Sequence, residues 1–160
     1  MSAEIFMTQK GYDKLRAQVE HMEFVEMPVI LDRIATARAE GDLSENAEYH
    51  GARESQGLLQ AKINELKYKL SMATIVDPST LPKDEVCFGC TVRVYDMDYD
   101  EEDTYTLVGA GEEDSTNGKI LVSSPLAMGL IGKKVGEVAE IQVPAGLLRM
   151  KIMEITREDD

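Results

Sequence analysis

The sequence contains no tryptophan, three phenylalanines and two cysteines among its 160 residues. Basic residues are also scarce, because 17 Lys and Arg stand against 30 Asp and Glu and give a net charge of -13. A chain of this charge does not carry the broad basic face that non-specific nucleic-acid binding requires. A protein partner, or one local basic spot, remains open.

Long apolar runs are missing as well. No stretch approaches the roughly 18 to 20 apolar residues of a membrane span. The opening residues MSAEIFMTQKGYDK lack the apolar core of a signal peptide. We therefore expect a cytoplasmic protein without a membrane partner.

The two cysteines, Cys87 and Cys90, form a C-x-x-C motif within VCFGCTV. This spacing can serve thiol exchange or supply half of a zinc site. A second cysteine pair is absent, and both histidines are distant in sequence. The surrounding residues have the pattern of a buried strand, so we expect reduced thiols in or near the core and assign them no role.

The first half of the chain has helical periodicity. Apolar residues recur at helical spacing after Thr8, a predicted N-cap, and residues 52–73 follow the alternating steps of a coiled-coil seam. The two segments are joined by a few residues around Gly41, so they can bury their seams only as an antiparallel hairpin, roughly 45 Å long. Pro28 and Gly57 fall at similar heights on the two arms, where we expect a bend. Because the apolar seams of the two segments can be buried against each other within one chain, we expect a monomer.

The second half has a period of two. The segments TVRVYD, DTYTLVG, KILVSS, EVAEIQVP and LRMKIMEIT predict strands, separated by acidic or glycine-containing turns such as Asn117-Gly118. The segment SPLAMGLIGK interrupts this rhythm and predicts a short helix capped by Ser124. The fold class is therefore α+β, with a hairpin over residues 1–76 and a sheet domain over residues 83–160.

The segment between the two predicted domains, residues 77–82, is a linker whose two prolines end any helix. Acidic residues are unevenly divided around it. Residues 1–75 hold 9 basic and 12 acidic side chains, whereas the remainder holds 8 and 18. Most of the negative charge therefore belongs to the sheet domain.

Two segments of the second half resemble known binding motifs but lack residues that those motifs require. DMDYDEEDTYTL begins like a calcium loop, but Glu101 stands where the sharp turn needs glycine and Leu107 replaces the bidentate glutamate. VGAGEED starts like a dinucleotide-binding turn, but Asp114 occupies the third glycine position. We read the first as a solvated acidic hairpin and reject nucleotide binding by the second.

The turn between the helical arms, GDLSENAEYH, holds an unusual group of charges. Asp42 and Glu45 fit a capping-box variant at the start of the second arm. The same carboxylates, at the far end of the hairpin, could instead be shared with another molecule. Arg38 and Arg53 flank the turn and can either pair within their helices or contact an anion.

The segments ARAEGDLSENAEYHGARESQG, MTQKGYDKL and SSPLAMGLIGKKVGE resemble the Gre transcript-cleavage factors of bacterial RNA polymerase. The resemblance runs from about Met7 to Ile155. It implies an N-terminal antiparallel coiled coil and a C-terminal FKBP-like domain that docks on the polymerase. It also implies that the coiled coil enters the channel leading to the active site. The factor is then not an enzyme but an accessory that stimulates the polymerase to cleave backtracked RNA.

The resemblance assigns roles to the residues of the turn. Asp42 and Glu45 become the catalytic acids, which help to hold a second Mg2+ shared with the polymerase, so that the isolated protein carries no cofactor. Arg38 and Arg53 match a basic spot that contacts phosphates of the extruded 3' RNA.

Further residues match the family pattern outside this group. Asn46 and Tyr49 belong to the turn motif, and we expect them to support the turn rather than contact RNA. The short helix predicted in the second domain matches the docking region of the family, where the candidate residues are Ser123, Ser124, Pro125, Leu126, Gly129 and Ile131. Ordinary packing of that helix is the alternative explanation for each of them.

The sequence departs from the family at two places. EFVEMPVI carries Glu23 and Glu26 where the family commonly has a basic residue before the proline, which puts basic support for RNA along that arm in doubt. CFGCTV has cysteines where small or apolar residues are usual. An FKBP-like fold does not imply isomerase activity. The alternative function is a regulator that binds the same channel and inhibits the polymerase without cleavage.

Overall fold

A computed structural model describes residues 4–42 and 45–157 of the chain. They form two compact units, one of residues 12–73 and the other of residues 4–11 together with those from 74 onward. No helix of the described ranges combines the length and the apolar composition that crossing a membrane requires. The helices are α1 (Gln9–His21), α2 (Met27–Ala39), α3 (Ala47–Ser71) and α4 (Pro125–Leu130). The strands are β1 (Ile5–Met7), β2 (Ala73–Ile75), β3 (Cys90–Asp96), β4 (Glu101–Val108), β5 (Lys119–Leu121), β6 (Val138–Val143) and β7 (Gly146–Arg157).

The helical unit is the predicted antiparallel hairpin. Helices α2 and α3 pack along their lengths, and Lys67 on the second arm pairs with Glu23 on the first at 2.8 Å. The start of α1 is also as predicted, because the Thr8 hydroxyl accepts a hydrogen bond from the Gly11 amide at 3.0 Å. The buried side chains of the hairpin follow the predicted seam: Leu15, Val19, Met22, Ile34, Ala37, Ala52, Ile63 and Leu66.

The first arm changes its helical geometry immediately before Pro28. Residues Met22–Glu26 form a π-helical turn between α1 and α2, and the Met27 amide donates to the Met22 carbonyl five residues back. Proline has no N–H, and its ring collides with the carbonyl four residues earlier in a regular α-helix. A wider turn relieves that collision, so we attribute the π-helical turn to Pro28. Gly57, by contrast, lies within the uninterrupted helix α3.

The sheet unit contains a five-stranded sheet in the order β5-β4-β3-β7-β6. All neighbouring strands are antiparallel except β4 and β5, which are parallel. The turn at Asn117 and Gly118 therefore does not close a simple hairpin between these two strands. Gly118 adopts a φ of 70°, and a Cβ there would lie 2.7 Å from the Thr104 carbonyl oxygen, so only glycine fits the turn without strain.

One face of the sheet is covered by α4 and forms the core. Alternate residues of β3 point into it, as the period of two requires, and α4 contributes Ala127 and Leu130. Cys90 is fully buried in this core, and burial raises the pKa of its thiol. Cys87 is half-buried, and both cysteines are free thiols. The division into a helical hairpin and a small α+β sheet domain is confirmed, whereas the FKBP-like assignment stays a prediction.

The acidic segment between β3 and β4 is a tight hairpin. Buried Asp96 accepts hydrogen bonds from the Asp98 and Tyr99 amides at 2.9 and 3.2 Å, which closes the turn. Asp100 has a φ of 53°, a left-handed conformation that Asp tolerates better than most residues. The carboxylates of this segment are thus used for turn geometry and surface pairing.

Candidate functional site

The turn between α2 and α3 presents two exposed carboxylates. Asp42 and Glu45 are both solvent-exposed, and Gly41 before them has a φ of 131°, which favours glycine. Leu43 and Ser44 lie outside the described residues. Helix α3 begins at Ala47 and its N-cap is Asn46, so Asp42 does not cap this helix, and the predicted capping box falls partly outside the described residues.

Asn46 fixes the turn by bonding to both arms. Its Oδ1 accepts from the Tyr49 amide at 3.0 Å, which caps α3, and its Nδ2 donates to the Ala37 carbonyl of α2 at 2.6 Å. A carboxylate in this position could cap the helix but could not donate to the carbonyl. The amide therefore explains why Asn46, rather than Asp42, starts the second arm.

An aromatic side chain lies beside the first of the two flanking arginines. The guanidinium of Arg38 sits 5.8 Å from the ring centroid of Tyr49, and Tyr49 in turn meets His50 edge-on at 5.5 Å between centroids. Arg53 is exposed on the first turns of α3. Arg38 and Arg53 are absent from the ion pairs that the structure shows within residues 4–42 and 45–157.

The described residues do not place three His, Cys, Asp or Glu side chains together as a potential metal site. The turn itself offers Asp42 and Glu45 as oxygen donors. Mg2+ commonly takes one or two protein carboxylates and completes its octahedron with water and phosphate oxygens. The donor set of the turn therefore fits one side of a Mg2+ site whose other ligands come from elsewhere.

The predicted docking residues surround α4. The Ser124 hydroxyl accepts from the Ala127 amide at 3.2 Å, and Pro125 occupies the first turn, so the predicted cap is confirmed. Gly129 packs against the sheet, since a Cβ there would lie 2.6 Å from Ile141 Cγ1.

The six docking candidates fall into three groups. Ser123 and Ile131 are exposed at the two ends of the helix, and Gly129 has the packing contact just described. Ser124, Pro125 and Leu126 line an apolar groove, which is completed by Ile120, Leu121, Val143 and Pro144 and has Glu113, Asp114, Ser115 and Lys119 along its rim.

The helical hairpin and the sheet domain each match a family model of transcription elongation factors. Residues 5–75 match the family model described as "Transcription elongation factor, N-terminal". Residues 81–157 match the model described as "Transcription elongation factor, GreA/GreB, C-term".

Individual relatives agree with the family models. The chain is 46% identical over 158 residues to the transcription elongation factor GreA of Thermodesulfovibrio yellowstonii, covering 99% of this chain and 100% of that protein. It is 47% identical over 150 residues to GreA of Psychrobacter arcticus, covering 93% and 95%. A solved structure, GreA factor homolog 1 (Gfh1) of Thermus thermophilus, is 22% identical with a TM-score of 0.46 and covers 96% and 99%. The chain belongs to the GreA/GreB family of transcription elongation factors.

Proposed function

We propose that this protein binds bacterial RNA polymerase as a monomer in the cytoplasm and stimulates the polymerase to cleave backtracked RNA. The observation that supports the proposal most directly is the turn between α2 and α3. There, Asn46 ties the two arms together with hydrogen bonds of 2.6 and 3.0 Å, while Asp42 and Glu45 remain exposed. A thin hairpin of this kind can carry two carboxylates into a channel that a globular domain could not enter.

The two carboxylates supply oxygen ligands and negative charge. A Mg2+ held between them and the polymerase would lower the pKa of a bound water and stabilise the charge that develops during phosphodiester hydrolysis. Asp42 and Glu45 do not form such a site alone, because octahedral coordination needs further ligands. The chain is therefore an accessory without catalytic activity of its own, and the polymerase supplies the remaining groups.

The two arginines recognise the displaced RNA in this proposal. Arg38 and Arg53 are exposed and carry no ion pair to the described residues, so their guanidinium groups are available to phosphate oxygens. Packing on the Tyr49 ring limits the freedom of the Arg38 side chain and lowers the entropy that binding costs. Asn46 and Tyr49 act as supports of the turn.

The sheet unit docks on the polymerase through the surface around α4. The groove lined by Ser124, Pro125 and Leu126 accepts apolar side chains of the partner, and Ile131 adds an exposed apolar contact that is 40% accessible. Ser123 and the closely packed Gly129 shape the same surface. Binding by this unit would leave the hairpin to reach the catalytic centre.

The proposal is tested with polymerase complexes stalled on backtracked RNA. The wild type should release short 3' RNA fragments. Asp42→Asn and Glu45→Gln, which keep the shape but remove one charge each, should cleave at least about tenfold more slowly, because even changes around a metal site typically cost about 10- to 100-fold in metal affinity or activity. Glu54→Gln, at an exposed acid within α3, is the matched control and should cleave like the wild type.

The alternative is a channel-binding regulator that inhibits without cleavage. In that case the wild type would slow RNA synthesis on these templates and release no fragments. Equal cleavage by wild type and both charge variants would reject the shared metal site while leaving polymerase binding intact.

A further inference from the structure

The sheet unit contains a polar cavity that the proposed function does not use. Its floor is a row of residues across four strands on the face opposite the core. Thr156, Thr91 and Thr106 are neighbours in the register of β7, β3 and β4, and Lys119 follows on β5. We call these four residues the threonine row.

The walls of the cavity come from two other segments of the same unit. One wall contains Thr8, Lys10 and Glu112, and the other contains the turn at Asp77, Pro78 and Ser79. The volume is about 440 Å³, which lies within the range of small-molecule sites. The cavity is therefore large enough for an organic ligand and lined by groups that form hydrogen bonds.

Arg157 lines the cavity and is a buried cation that forms no ion pair with the residues of the ranges 4–42 and 45–157. It is 7% exposed, and its terminal nitrogens donate to the carbonyl oxygens of Pro78 and Pro82 and to Cys87 Sγ. Burial raises the pKa of the Cys87 thiol, so all three acceptors are neutral. Its Nε has no hydrogen-bond partner in the described part of the chain. A buried charge in this state is stabilised by an anion nearby.

The remaining charges of the cavity also favour an anion. Lys10 and Lys119 are exposed at the opening and form no ion pair within the described ranges. The two carboxylates are already occupied, because Asp77 accepts from the Ser79 amide and hydroxyl at 3.0 and 2.7 Å, and Glu112 accepts from the Thr8 hydroxyl at 2.5 Å. The three cations and two carboxylates that line the cavity give it a net charge of +1 (3 − 2), in a chain whose net charge is -13.

The threonine row supplies hydroxyl donors. Thr91 and Thr106 are joined by a hydrogen bond of 2.9 Å, which uses only one of their two hydroxyl protons. The other proton can be donated to a ligand, whereas the Thr156 hydroxyl donates to the Thr91 carbonyl at 3.4 Å. Phosphate oxygens accept strong hydrogen bonds from ammonium groups and hydroxyls together.

We propose that this cavity binds a small phosphorylated molecule. The phosphate of this molecule lies between Lys10 and Lys119, against the threonine row, and is attracted by the positive charge of Arg157. The rest of the molecule fills the volume towards Pro78. This cavity is distinct from the turn and shares only Lys119 with the rim of the groove beside α4, and its proposed ligand does not depend on the proposed function.

The test uses the full chain, labelled with nitrogen-15, and follows amide resonances during titration at constant ionic strength. The probes are inorganic phosphate and ribose 5-phosphate, with chloride as the reference anion. The expected result is saturable shifts at Thr91, Thr106 and Lys119, with ribose 5-phosphate binding more tightly than phosphate because it also fills the cavity.

Variants locate the binding. Lys119→Gln should weaken ribose 5-phosphate binding roughly tenfold, the loss expected for one charge-assisted hydrogen bond. Lys62→Gln, at an exposed lysine of α3, should bind like the wild type. Shifts that grow linearly without saturation, or equal affinities for wild type and Lys119→Gln, would overturn the proposal. Arg157 is left unchanged because its loss would disturb the fold.

Discussion

Substitutions of Asn46 that remove one or both of its side-chain hydrogen bonds test how much each bond contributes to the stability of the hairpin. In Asn46→Ser the hydroxyl can still cap α3, but the donor to the Ala37 carbonyl at 2.6 Å is lost. In Asn46→Ala both interactions are lost. A cap contributes about 1 kcal/mol and a neutral hydrogen bond contributes about 1 kcal/mol. We therefore expect the hairpin to lose about 1 kcal/mol in Asn46→Ser and about 2 kcal/mol in Asn46→Ala.

The assay combines denaturant unfolding, followed by helical circular dichroism, with amide hydrogen exchange. The Tyr49 amide donates to Asn46 Oδ1 at 3.0 Å, so its protection should fall in Asn46→Ala and persist in Asn46→Ser. Asn64→Ala, at an exposed position of α3 whose side chain accepts from Gln60 on the same helix, is the control and should change stability by less than about 0.5 kcal/mol. Equal stability of Asn46→Ala and wild type, or equal protection of Tyr49 in both, would refute the reasoning.

Two further predictions concern packing and charge in other parts of the molecule. Gly129→Ala should destabilise the sheet unit by about 1 to 3 kcal/mol, because the new Cβ would lie 2.6 Å from Ile141. Gly57→Ala, in a helix position with no atom within 4 Å of the new Cβ, should instead stabilise α3 by about 0.5 to 1 kcal/mol, and thermal unfolding distinguishes the two signs. The hydrogen bond from Arg149 at 2.7 Å holds the pKa of Asp98 below its ordinary value. The pairing therefore stabilises the fold fully at a pH above the ordinary pKa, and this stabilisation is lost as the pH falls through the lowered pKa. A carboxyl NMR titration should show the Asp98 midpoint rising towards its ordinary value in Arg149→Gln, and an unchanged midpoint would contradict the assignment.

Much of the fold could be predicted from residue periodicity. The hairpin seam and the five strands of the main sheet follow from apolar residues at helical and alternating positions, because burial of one face leaves a direct mark on the sequence. The helix caps at Thr8 and Ser124 could also be predicted, because each is a hydroxyl residue directly before a segment with a helical pattern.

Other features of the fold could not be predicted from local residue patterns. Strands β1 and β2 have three residues each, too few to establish a period, and their pairing joins positions almost seventy residues apart. The parallel pairing of β4 and β5 also escapes local patterns, because direction depends on the path of the connecting loop.

The turn shows where sequence reasoning about the candidate site fails. Asp42 and Glu45 match a capping box, yet Asn46 caps α3, because its amide accepts from Tyr49 and donates to Ala37 at the same time, whereas a carboxylate can only accept. A contact across two arms is not encoded in a local motif. The roles of the exposed acids came from resemblance to a family rather than from a pattern in the chain.

The Mg2+ dependence of cleavage tests the central proposal most directly. Cleavage rates in stalled polymerase complexes would be measured against Mg2+ concentration at saturating wild type, Asp42→Asn and Glu54→Gln. If the turn supplies a metal ligand, Asp42→Asn should need at least about tenfold more Mg2+ for half-maximal cleavage, whereas Glu54→Gln should match the wild type. Identical Mg2+ dependence for all three proteins would contradict metal sharing by the turn.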